Sequence, residues 1–407
     1  MSKRDNRAIS PGYKMTEVGV IPEDWDASAF GRFMTSAQNG FGRRPKSIEN
    51  GPIVLRLADV AEGFIDLSNI RRIQMSTEEF GKHKIAKDDL LFIRVNGSRD
   101  YVGRCVHVKK DYDDVAYNDH LIRVRVSNEI NSKYVEYLFN AHPVRTALLS
   151  SIPVAIGGQL TVNQAMLEST YIPLPPTLAE QRAIANALSE VDDQIAALDD
   201  LIAKKRDLKQ GAMQRLLTGE ERLPGFSGAW EVKRLGEIGL VGRGRVISHK
   251  EISRAIAPLY PVYSSQTQND GIMGYLDTYD FEGQYITWTT DGVNAGKVFY
   301  RDGRFNCTNV CGTIKVHACH PQFIALVLDT QTDKYVSKNL ANPKLMNNVM
   351  KEIEITIPTY LEEQKAIATV LSDMDAEIST LEAEREKIVA LKQGMMQDLL
   401  TGKVRLV

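Results

Sequence analysis

The sequence lacks the features of secreted and membrane proteins. No apolar run reaches the roughly 18–20 residues that a membrane-spanning helix needs, and the first fifteen residues, MSKRDNRAISPGYKM, contain no apolar stretch of the kind found in secretory signals. The four cysteines are too few for a disulfide framework; they are Cys105, Cys307, Cys311 and Cys319. We therefore expect a cytoplasmic protein that does not contact a membrane.

Motifs for catalysis and cofactor binding are also missing. The run GVNAGK, residues 292–297, is one residue short of a phosphate loop, and Val298 stands where a magnesium-binding Ser or Thr is required. No glycine-rich dinucleotide motif and no Ser/His/Asp or Cys/His arrangement is present. Cys307 and Cys311 lack the paired spacing of a zinc knuckle, so we interpret them as small core residues. The sequence thus favours a binding protein with no metal and no cofactor of its own.

One long amphipathic pattern is present twice. Residues 177–223 read TLAEQRAIANALSEVDDQIAALDDLIAKKRDLKQGAMQRLLTGEERL, and residues 360–406 read YLEEQKAIATVLSDMDAEISTLEAEREKIVALKQGMMQDLLTGKVRL. The two runs align without a gap at an offset of 183 residues, which places Gln181 opposite Gln364 and Gly219 opposite Gly402. Two copies are too few for a solenoid. The pattern indicates a duplicated unit in which one globular domain precedes one helix.

Both runs predict long helices with a heptad seam. Thr177 with Glu180 predicts a capping box, and Thr359 with Glu362 predicts a second box that lies one residue out of the offset, so we expect slightly different helix starts. About 40 residues at ~1.5 Å each predict rods of roughly 60 Å. Apolar residues that alternate at spacings of three and four form the expected helix–helix packing seam: Ile184, Leu188, Val191, Ile195 and Leu198 in the first copy, and Ile367, Leu371, Met374, Ile378 and Leu381 in the second.

The seam requires a partner helix. Antiparallel pairing within the chain is the most economical arrangement, and separate intermolecular coiled coils are the alternative. Gly211 and Gly394 lie inside the helices at matching positions, where each costs about 1 kcal/mol relative to Ala. Their recurrence suggests a close helix approach or a kink, although duplication alone also explains it.

The segments before the two helices read as mixed α/β domains. Runs rich in β-branched residues predict strands, namely 52–60, 89–95, 101–110, 120–126 and 171–174 in the first domain, and 260–265, 284–290, 297–301 and 310–316 in the second. Residues 133–149, 320–328 and 342–350 read as helices. Residues 27–176 carry a net charge of +3 and residues 223–359 of +1, whereas the two helical runs are acidic. Two similar domains on a stiff spacer suit a duplex with two half-sites about 34 Å apart.

These residues resemble the specificity subunits of type I restriction–modification enzymes. The resemblance covers nearly the whole chain, and its main marks are PLPPTLAEQRAIA with its copy IPTYLEEQKAIA, and the two LLTG endings. The second domain is similar to one common target-recognition type through YPVYSSQTQNDGIMGYLDTY and ITWTTDGVNAGKVFYRDGRFNCTNVCG. The first resembles another type through NGFGRRPKS, VLRLADV and LLFIRVNGSRDYVG.

The resemblance implies an α+β fold with two α/β target-recognition domains, separated by two long antiparallel coiled-coil helices in a pseudo-two-fold arrangement. We expect target-recognition domains at residues 1–176 and 223–358, a central helical region at 177–222 and a distal one at 359–407. Each domain would read one half of an asymmetric bipartite target in double-stranded DNA.

The resemblance also implies partners. The chain would have no catalysis or cofactor of its own, and its acidic helices would dock two modification subunits. Those subunits would methylate adenine at N6 with S-adenosylmethionine. Restriction subunits in the full complex would use ATP and Mg²⁺.

Candidate DNA contacts are polar side chains on loops and strand ends, because Arg, Lys, Asn and Gln discriminate base pairs in the major groove. In the first domain they are Asn39, Arg43, Arg44, Lys46, Arg56, Arg94, Asn96, Ser98, Arg99 and Tyr101. In the second they are Arg243, Arg245, Ser264, Ser265, Gln266, Thr289, Thr290, Asp291, Asn294 and Lys344. The alternative is that the basic loop is a solvated charge run and that Arg56 pairs with an acid such as Asp59.

Two other classes of protein remain open on the residues alone. A coiled-coil scaffold would show no salt-dependent affinity for DNA. A nuclease with an unrecognised site would cleave DNA by itself when supplied with metal.

Overall fold

A computed structural model describes residues 9–43, 50–153, 158–337 and 342–406. The chain divides into two compact units, one made of Met1–Leu198 with Glu384–Val407 and the other of Asp199–Ala383. No helix within the described ranges combines the length and apolar character that crossing a bilayer requires.

In its described residues the first unit contains twelve short strands and five α-helices, the last of which continues into the second unit. The strands are β1 (Tyr13–Thr16), β2 (Gly19–Pro22), β3 (Asp26–Ala29), β4 (Met34–Asn39), β5 (Ile53–Leu55), β6 (Leu90–Ile93), β7 (Val95–Asn96), β8 (Cys105–His107), β9 (Val115–Tyr117), β10 (Leu121–Val126), β11 (Leu160–Thr161) and β12 (Tyr171–Leu174). The helices are α1 (Thr77–His83), α2 (Ser132–Asn140), α3 (His142–Ser150), α4 (Gln164–Ser169) and α5 (Leu178–Leu216).

The second unit has the same kind of architecture. Its strands are β13 (Trp230–Arg234), β14 (Gly239–Arg243), β15 (Tyr260–Tyr263), β16 (Ile272–Leu276), β17 (Phe281–Glu282), β18 (Tyr285–Thr289), β19 (Val298–Arg301), β20 (Arg304–Cys307), β21 (Cys311–Val316) and β22 (Glu354–Pro358). Its helices are α6 (Leu235–Ile238), α7 (His249–Ile252), α8 (Pro321–Asp329), α9 (Asn347–Glu352) and α10 (Leu361–Leu399), and α10 continues into the first unit.

Each unit is built on a four-stranded antiparallel sheet. The strand order is β4-β10-β6-β8 in the first unit and β14-β21-β18-β19 in the second. The first unit also has a two-stranded parallel sheet, β5 with β9. In the second unit the parallel pair β15 and β20 forms the centre of a second four-stranded sheet with the order β16-β15-β20-β17. Phe30, Phe92 and Phe139 fill the first core with ring centroids 4.9 Å apart for the two contacts of Phe139, and Trp288 fills the second. The expected mixed α+β fold with two domains and two long helices is confirmed, whereas the two-fold relation between the domains stays a prediction.

Several predicted elements are shorter than expected. The strand expected at 52–60 ends at Leu55, because residues 57–59 form a 3₁₀ turn. The strand expected at 101–110 is formed only at Cys105–His107, since Gly103 adopts a left-handed φ of 74°. The helix expected at 133–149 is interrupted at Ala141, whose extended backbone separates α2 from α3. The helix expected at 342–350 begins only at Asn347.

The long helices start at equivalent positions. Each has 39 residues, and Leu178 and Leu361, which open α5 and α10, differ by the same 183 residues as the sequence repeat. The Thr177 hydroxyl accepts the backbone N–H of Glu180 at 3.2 Å. The second predicted capping box is wrong, because the Thr359 hydroxyl donates to the carbonyl of Ala229 instead. The expected difference between the two starts is therefore wrong as well.

Within each unit a segment of one long helix lies against a segment of the other. In the second unit Lys205 pairs with Glu377 at 2.6 Å and Lys209 with Asp375 at 2.5 Å. The residue number of the partner on α10 decreases as the residue number on α5 increases, so these segments run antiparallel. In the first unit Lys392 pairs with Asp192 at 2.5 Å.

The predicted seam residues fall into two groups. The first group lies in the cores of the two units, beside leucines from the end of the other long helix; it comprises Ile184 and Leu188 with Leu399, and Ile367 and Leu371 with Leu216. Further along, the side chains are buried or half-buried; they are Val191, Ile195, Leu198, Met374, Ile378 and Leu381. The close-approach interpretation of Gly211 and Gly394 is wrong, because a Cβ on either residue would meet no atom within 4 Å.

Each unit contains one ion pair between a buried glutamate of one sequence repeat and an arginine of the other. Glu180, 3 % exposed, binds Arg405, which also contacts Asp24 at 2.9 and 3.0 Å. Glu363, fully buried, accepts both Nε and Nη2 of Arg222 at 2.5 and 2.6 Å. Glu180 and Glu363 are equivalent in the repeat, and so are Arg222 and Arg405. Each repeat therefore supplies the acid for the arginine of the other.

Glu136 on α2 predicts a pH-dependent stability. Its side chain is 9 % exposed and accepts the backbone N–H of His107 at 2.9 Å. Burial raises the pKa of Glu136 from 4.5 to about 7. Since this pKa lies above that of the unfolded chain, the stabilisation by the neutral acid is complete below a pH of about 4.5 and is lost as the pH rises through about 7.

We expect Glu136→Gln to raise the free energy of unfolding of the first unit at pH 8 by up to about 3 kcal/mol, and by much less at pH 5. Urea unfolding at the two pH values, followed by Trp25 fluorescence in a chain with Trp230 and Trp288 replaced by Phe, measures the difference. An equal effect of Glu136→Gln at both pH values would contradict the prediction.

Candidate nucleic-acid interface

The predicted contacts of the first unit gather where several strands end together. The register places Asn39, the last residue of β4, opposite Ile122 and places Ile93, the last residue of β6, opposite Leu121. The turn Asn118–His120, which leads from β9 into β10, therefore lies between these strand ends. The bridge of Thr161 to Val95 brings β11 to the same edge. We call this group of strand ends the first loop edge.

The second unit builds an equivalent edge from other residues. Arg243, the last residue of β14, lies opposite Gly312, and Thr289, the last residue of β18, lies opposite Cys311. The turn Thr308–Val310 leads from β20 into β21, and Lys344 bridges to Asp291. We call this group the second loop edge.

The registers give a residue-by-residue correspondence between the edges. Asn39 corresponds to Arg243, because they are the last residues of β4 and β14. Arg94 corresponds to Thr290, because they directly follow β6 and β18. Arg56 corresponds to Ser264. The carbonyl of the residue before Arg56 accepts the N–H of Asn118, and the carbonyl of the residue before Ser264 accepts the N–H of Thr308. The remaining matches are Asp119 with Asn309 and Thr161 with Lys344.

A glycine lets the first strand cross the turn at each edge. A Cβ on Gly40 would overlap the carbonyl oxygen of Asn118, and a Cβ on Gly244 would overlap the carbonyl oxygens of Cys307 and Thr308. The backbone on either side is held, as Phe41 donates to the Tyr117 carbonyl at 2.9 Å in the first unit. Only glycine permits this approach.

Among the predicted contacts at the first loop edge, Arg94 binds directly to the turn. Its Nη1 donates to the Asp119 carbonyl at 3.0 Å, and its own carbonyl accepts the N–H of Val162 at 2.9 Å. Asn39 accepts from the Gln164 amide at 3.4 Å. The side chain of Arg94 is half-buried. Its guanidinium is thus attached to the turn by a neutral acceptor.

Two other predicted arginines are paired with acids. Arg56 donates to Asp59 at 2.8 and 3.1 Å, which is the structural alternative stated for it. Arg43 pairs with Glu79 at 3.0 Å. Both arginines line a cavity of about 450 Å³ whose wall includes His120.

Side chains of the polar turn after β7 and of its neighbours hold this turn in place. The Asn96 side chain accepts the N–H of Ser98 at 2.7 Å. The carbonyl of Arg99 accepts from Arg145 at 2.7 Å, and the guanidinium of Arg104 lies 4.9 Å from the centre of the Tyr101 ring. Arg44 and Lys46 lie outside the described residues.

The second loop edge centres on Asp291. Its carboxylate contacts Lys344 at 3.3 Å and Arg243 at 3.4 Å, and it accepts the Thr290 hydroxyl at 2.5 Å. Burial acts in the other direction, but the Thr290 hydroxyl and the Lys344 ammonium lower the pKa of Asp291 below its usual value. Arg243 also donates through Nε to the Asn309 carbonyl. Two cations and one carboxylate therefore lie together beside the turn.

The other predicted contacts of this unit are placed differently. Arg245 is paired with Glu251 at 2.7 Å and Asp280 at 2.9 Å. Thr289 and Thr290 are fully buried, so neither side chain is at the surface. The Thr289 hydroxyl donates to the carbonyl of Asn294.

The loop that follows β15 carries three further predicted contacts. Ser264 accepts the Thr308 hydroxyl at 3.1 Å, and the Gln266 amide donates to the carbonyl of Ile272. Ser265 is half-buried between them in the chain. Ser264 therefore contacts the turn of the second loop edge, whereas the amide of Gln266 is bound within its own loop.

Sequence reasoning missed the two turns that these side chains surround. Asn118, Asp119 and His120 in the first unit and Asn309 in the second were not among the predicted contacts. A polar dipeptide directly before each predicted strand, Asn118-Asp119 and Thr308-Asn309, is the signal that could have found them.

The described residues contain no group of three or more His, Cys, Asp or Glu side chains that could hold a metal ion. Cys307 and Cys311 are buried next to Phe305 in a small apolar cluster. The hydrogen bond with the neighbouring Cys311 and burial both raise the pKa of the Cys307 thiol.

Comparisons with known proteins agree with this two-domain architecture. A family model described as the type I restriction modification DNA specificity domain matches residues 53–204 and again residues 228–390. The putative type I specificity subunit S.MpnORF615P of Mycoplasma pneumoniae is 36% identical over 214 residues, which cover 51% of this chain and 82% of that protein. The putative MjaX specificity subunit of Methanocaldococcus jannaschii is 23% identical, covering 97% of this chain and 96% of its own.

A solved structure shows the same fold. The type I restriction–modification S subunit from M. genitalium superposes with a TM-score of 0.64 at 15% identity, covering 92% of this chain and 96% of that one. The fold and the two family matches define a DNA-specificity protein rather than an enzyme. The chain belongs to the type I restriction–modification specificity subunits.

Proposed function

We propose that each recognition domain reads one half of an asymmetric bipartite target in double-stranded DNA. The observation that carries this proposal is the pair of loop edges, which share one backbone plan but present different side chains. At the positions where the first edge has Asn39 and Arg94, the second has Arg243, which is exposed, and Thr290, which is buried. Equivalent loops with different polar groups suit two different half-sites. The recognition domains are residues 1–176 and 223–358, and the helical regions are 177–222 and 359–407.

The paired helices set the spacing of the half-sites in this proposal. Each long helix continues from one unit into the other without interruption over 39 residues. Such a helix is roughly 60 Å long, which exceeds the ~34 Å between half-sites one turn apart.

Thr289 and Thr290 have a supporting part in this proposal. Because both side chains are fully buried, they support their neighbours and do not contact bases directly.

The same helices would dock two modification subunits, which methylate adenine at N6 with S-adenosylmethionine. Restriction subunits, where present, would add translocation and cleavage that use ATP and Mg²⁺. This chain would supply no cofactor site to either reaction.

Methylome sequencing of cells that express the chain with its modification subunits tests the proposal. We expect one methylated motif with two defined half-sites and an undefined spacer. A mobility-shift assay with the same complex at two salt concentrations should show a specific shift that weakens with salt. The competing scaffold function predicts no methylated motif and no salt-dependent shift.

Charge reversal on the acidic helices is expected to impair assembly before DNA binding. Glu190 and Asp193 lie on α5 and are exposed. We expect the Glu190→Lys, Asp193→Lys variant to lose most co-purification with the modification subunits, because it inverts the local charge that a basic partner would meet.

Glu129 and Asp113 offer a matched control, since both are exposed acids in the first recognition domain. Their double substitution by Lys should leave co-purification unchanged. Equal co-purification of both double variants would count against docking on the acidic helix face.

A further inference from the structure

One arginine at each loop edge is attached to the same point of the turn. In the first unit Nη1 of Arg94 donates to the carbonyl of Asp119 at 3.0 Å. In the second unit Nε of Arg243 donates to the carbonyl of Asn309. Asp119 and Asn309 are equivalent, because each is the second residue of the turn that precedes the central strand of its sheet. The two guanidinium groups thus share one anchor.

The two arginines do not correspond to each other in the fold. Arg94 follows β6, and its counterpart is Thr290; Arg243 ends β14, and its counterpart is Asn39. Duplication of an ancestral domain therefore does not explain the shared anchor. The place of the guanidinium is the same in both domains, although it is reached from a different strand.

The counterpart residues are compatible with only one arginine at each edge. In the second unit Nη2 of Arg243 also donates to the hydroxyl of Thr290 at 3.3 Å. The small side chain of Thr290 thus stands at the position that Arg94 has in the first unit. A second guanidinium at the same carbonyl would add like-charge repulsion. Asn39 in the first unit leaves the corresponding room for Arg94.

Anchoring also separates these two arginines from the other candidates. Arg43, Arg56 and Arg245 are each engaged by a carboxylate. Within the described part of the chain, Arg94 forms no ion pair, and only the Nη2 side of Arg243 reaches Asp291, at 3.4 Å. Arg94 therefore keeps the N–H groups of Nε and Nη2 clear of carboxylates, whereas Arg243 keeps those of Nη1 and shares Nη2 with Asp291.

A guanidinium held in this way is suited to one base. Two parallel N–H groups match the O6 and N7 acceptors of guanine in the major groove. A backbone carbonyl fixes the orientation of the fork without neutralising its charge, and this reduces the ordering cost of binding. Adenine presents a donor at the position of O6 and fits the fork poorly.

We infer that Arg94 and Arg243 each read a guanine, at corresponding positions of the two half-sites. The inference rests on the proposed bipartite recognition and adds to it one base identity in each half. The two halves of the target then share this guanine and differ at neighbouring positions, where the other residues of the loop edges differ.

Methylome sequencing of the whole complex carrying Arg94→Ala or Arg243→Ala tests the inference. We expect Arg94→Ala to relax one G·C position in one half-site and to leave the other half-site unchanged, and Arg243→Ala to do the reverse. On a duplex with the wild-type motif, affinity should fall by about 10- to 100-fold, with little change on random duplex.

Lysine substitutions distinguish base reading from phosphate binding. Lysine keeps the charge but not the fork, so Arg94→Lys should relax the same position as Arg94→Ala. Arg32→Ala and Arg234→Ala serve as controls, because both side chains are more than half exposed and pair with acids outside the loop edges.

Three outcomes overturn the inference. They are relaxation at an A·T pair, relaxation of both variants in the same half-site, and full rescue by lysine. In each of these cases the wild-type complex still methylates a bipartite motif, so the proposed function stands. A wild-type complex that yields no bipartite motif refutes the proposed function itself.

Discussion

Alanine in place of Glu363 is expected to lower the free energy of unfolding of the second unit by about 3 kcal/mol, at the lower end of the range for a buried ion pair that loses one partner. The Glu363 side chain is fully buried, and both its oxygens bind Arg222, whose own side chain is 25% exposed. The guanidinium of Arg222 lies 5.6 Å from the centre of the Trp230 ring. Without the carboxylate, a charge stays near this ring with no partner.

Urea unfolding followed by fluorescence measures the effect in a chain with Trp25 replaced by Phe. The two tryptophans that remain, Trp230 and Trp288, both report on the second unit. Glu382→Ala is the control, because Glu382 pairs with Arg206 on the exposed part of the helices with 41% of its side chain exposed. A surface pair of this kind contributes about 1 kcal/mol or less. Equal losses for Glu363→Ala and Glu382→Ala would refute the importance of the buried pair.

Gly244→Ala is expected to reduce affinity for the specific duplex by about 5- to 150-fold, because overpacking of this kind costs about 1–3 kcal/mol. The added methyl group would overlap two carbonyl oxygens of the turn. The strand cannot simply move away, since Gly244 donates to the Cys311 carbonyl at 3.1 Å and Arg245 donates to the Cys307 carbonyl at 3.1 Å. Relief of the overlap must displace Arg243, the preceding residue.

Mobility shifts on the methylome-defined duplex and on a variant of each half-site measure this effect. Gly40→Ala should weaken recognition of the other half-site in the same way. Gly211→Ala is the matched control, because its methyl group meets open space on α5. This control should leave DNA binding unchanged and raise the stability of the chain by about 0.5–1 kcal/mol. Normal recognition of both half-sites by Gly244→Ala and Gly40→Ala would show that the close contact between these glycines and the turn carbonyls is not needed for DNA recognition.

The sequence predicted elements well where the pattern was long or strongly apolar. The repeat predicted both long helices, and β12 was predicted at its observed bounds, Tyr171–Leu174. Strand β4 was missed, because five of its six residues are polar or small and none is buried. Its stability comes from pairing with β10, a partner more than 80 residues away in the chain.

The candidate interface could be predicted only in part. Arg94 and Arg243 were found from the sequence because arginine is an obvious contact for DNA. The turn residues Asp119 and Asn309 were not, since they contribute backbone carbonyls and their side chains carry no distinctive signal. Burial of Thr289 and Thr290 was also invisible, because a polar side chain after a strand reads as exposed.

The sequence by itself determined that a domain-and-helix unit is duplicated, and with what offset, since periodicity and identity are properties of the chain alone. Only the tertiary structure decided that Glu180 binds Arg405 and that Glu363 binds Arg222. Identical acids and identical arginines leave either pairing open in the sequence. The exchange between repeats follows from antiparallel helices, which bring the end of one repeat to the beginning of the other.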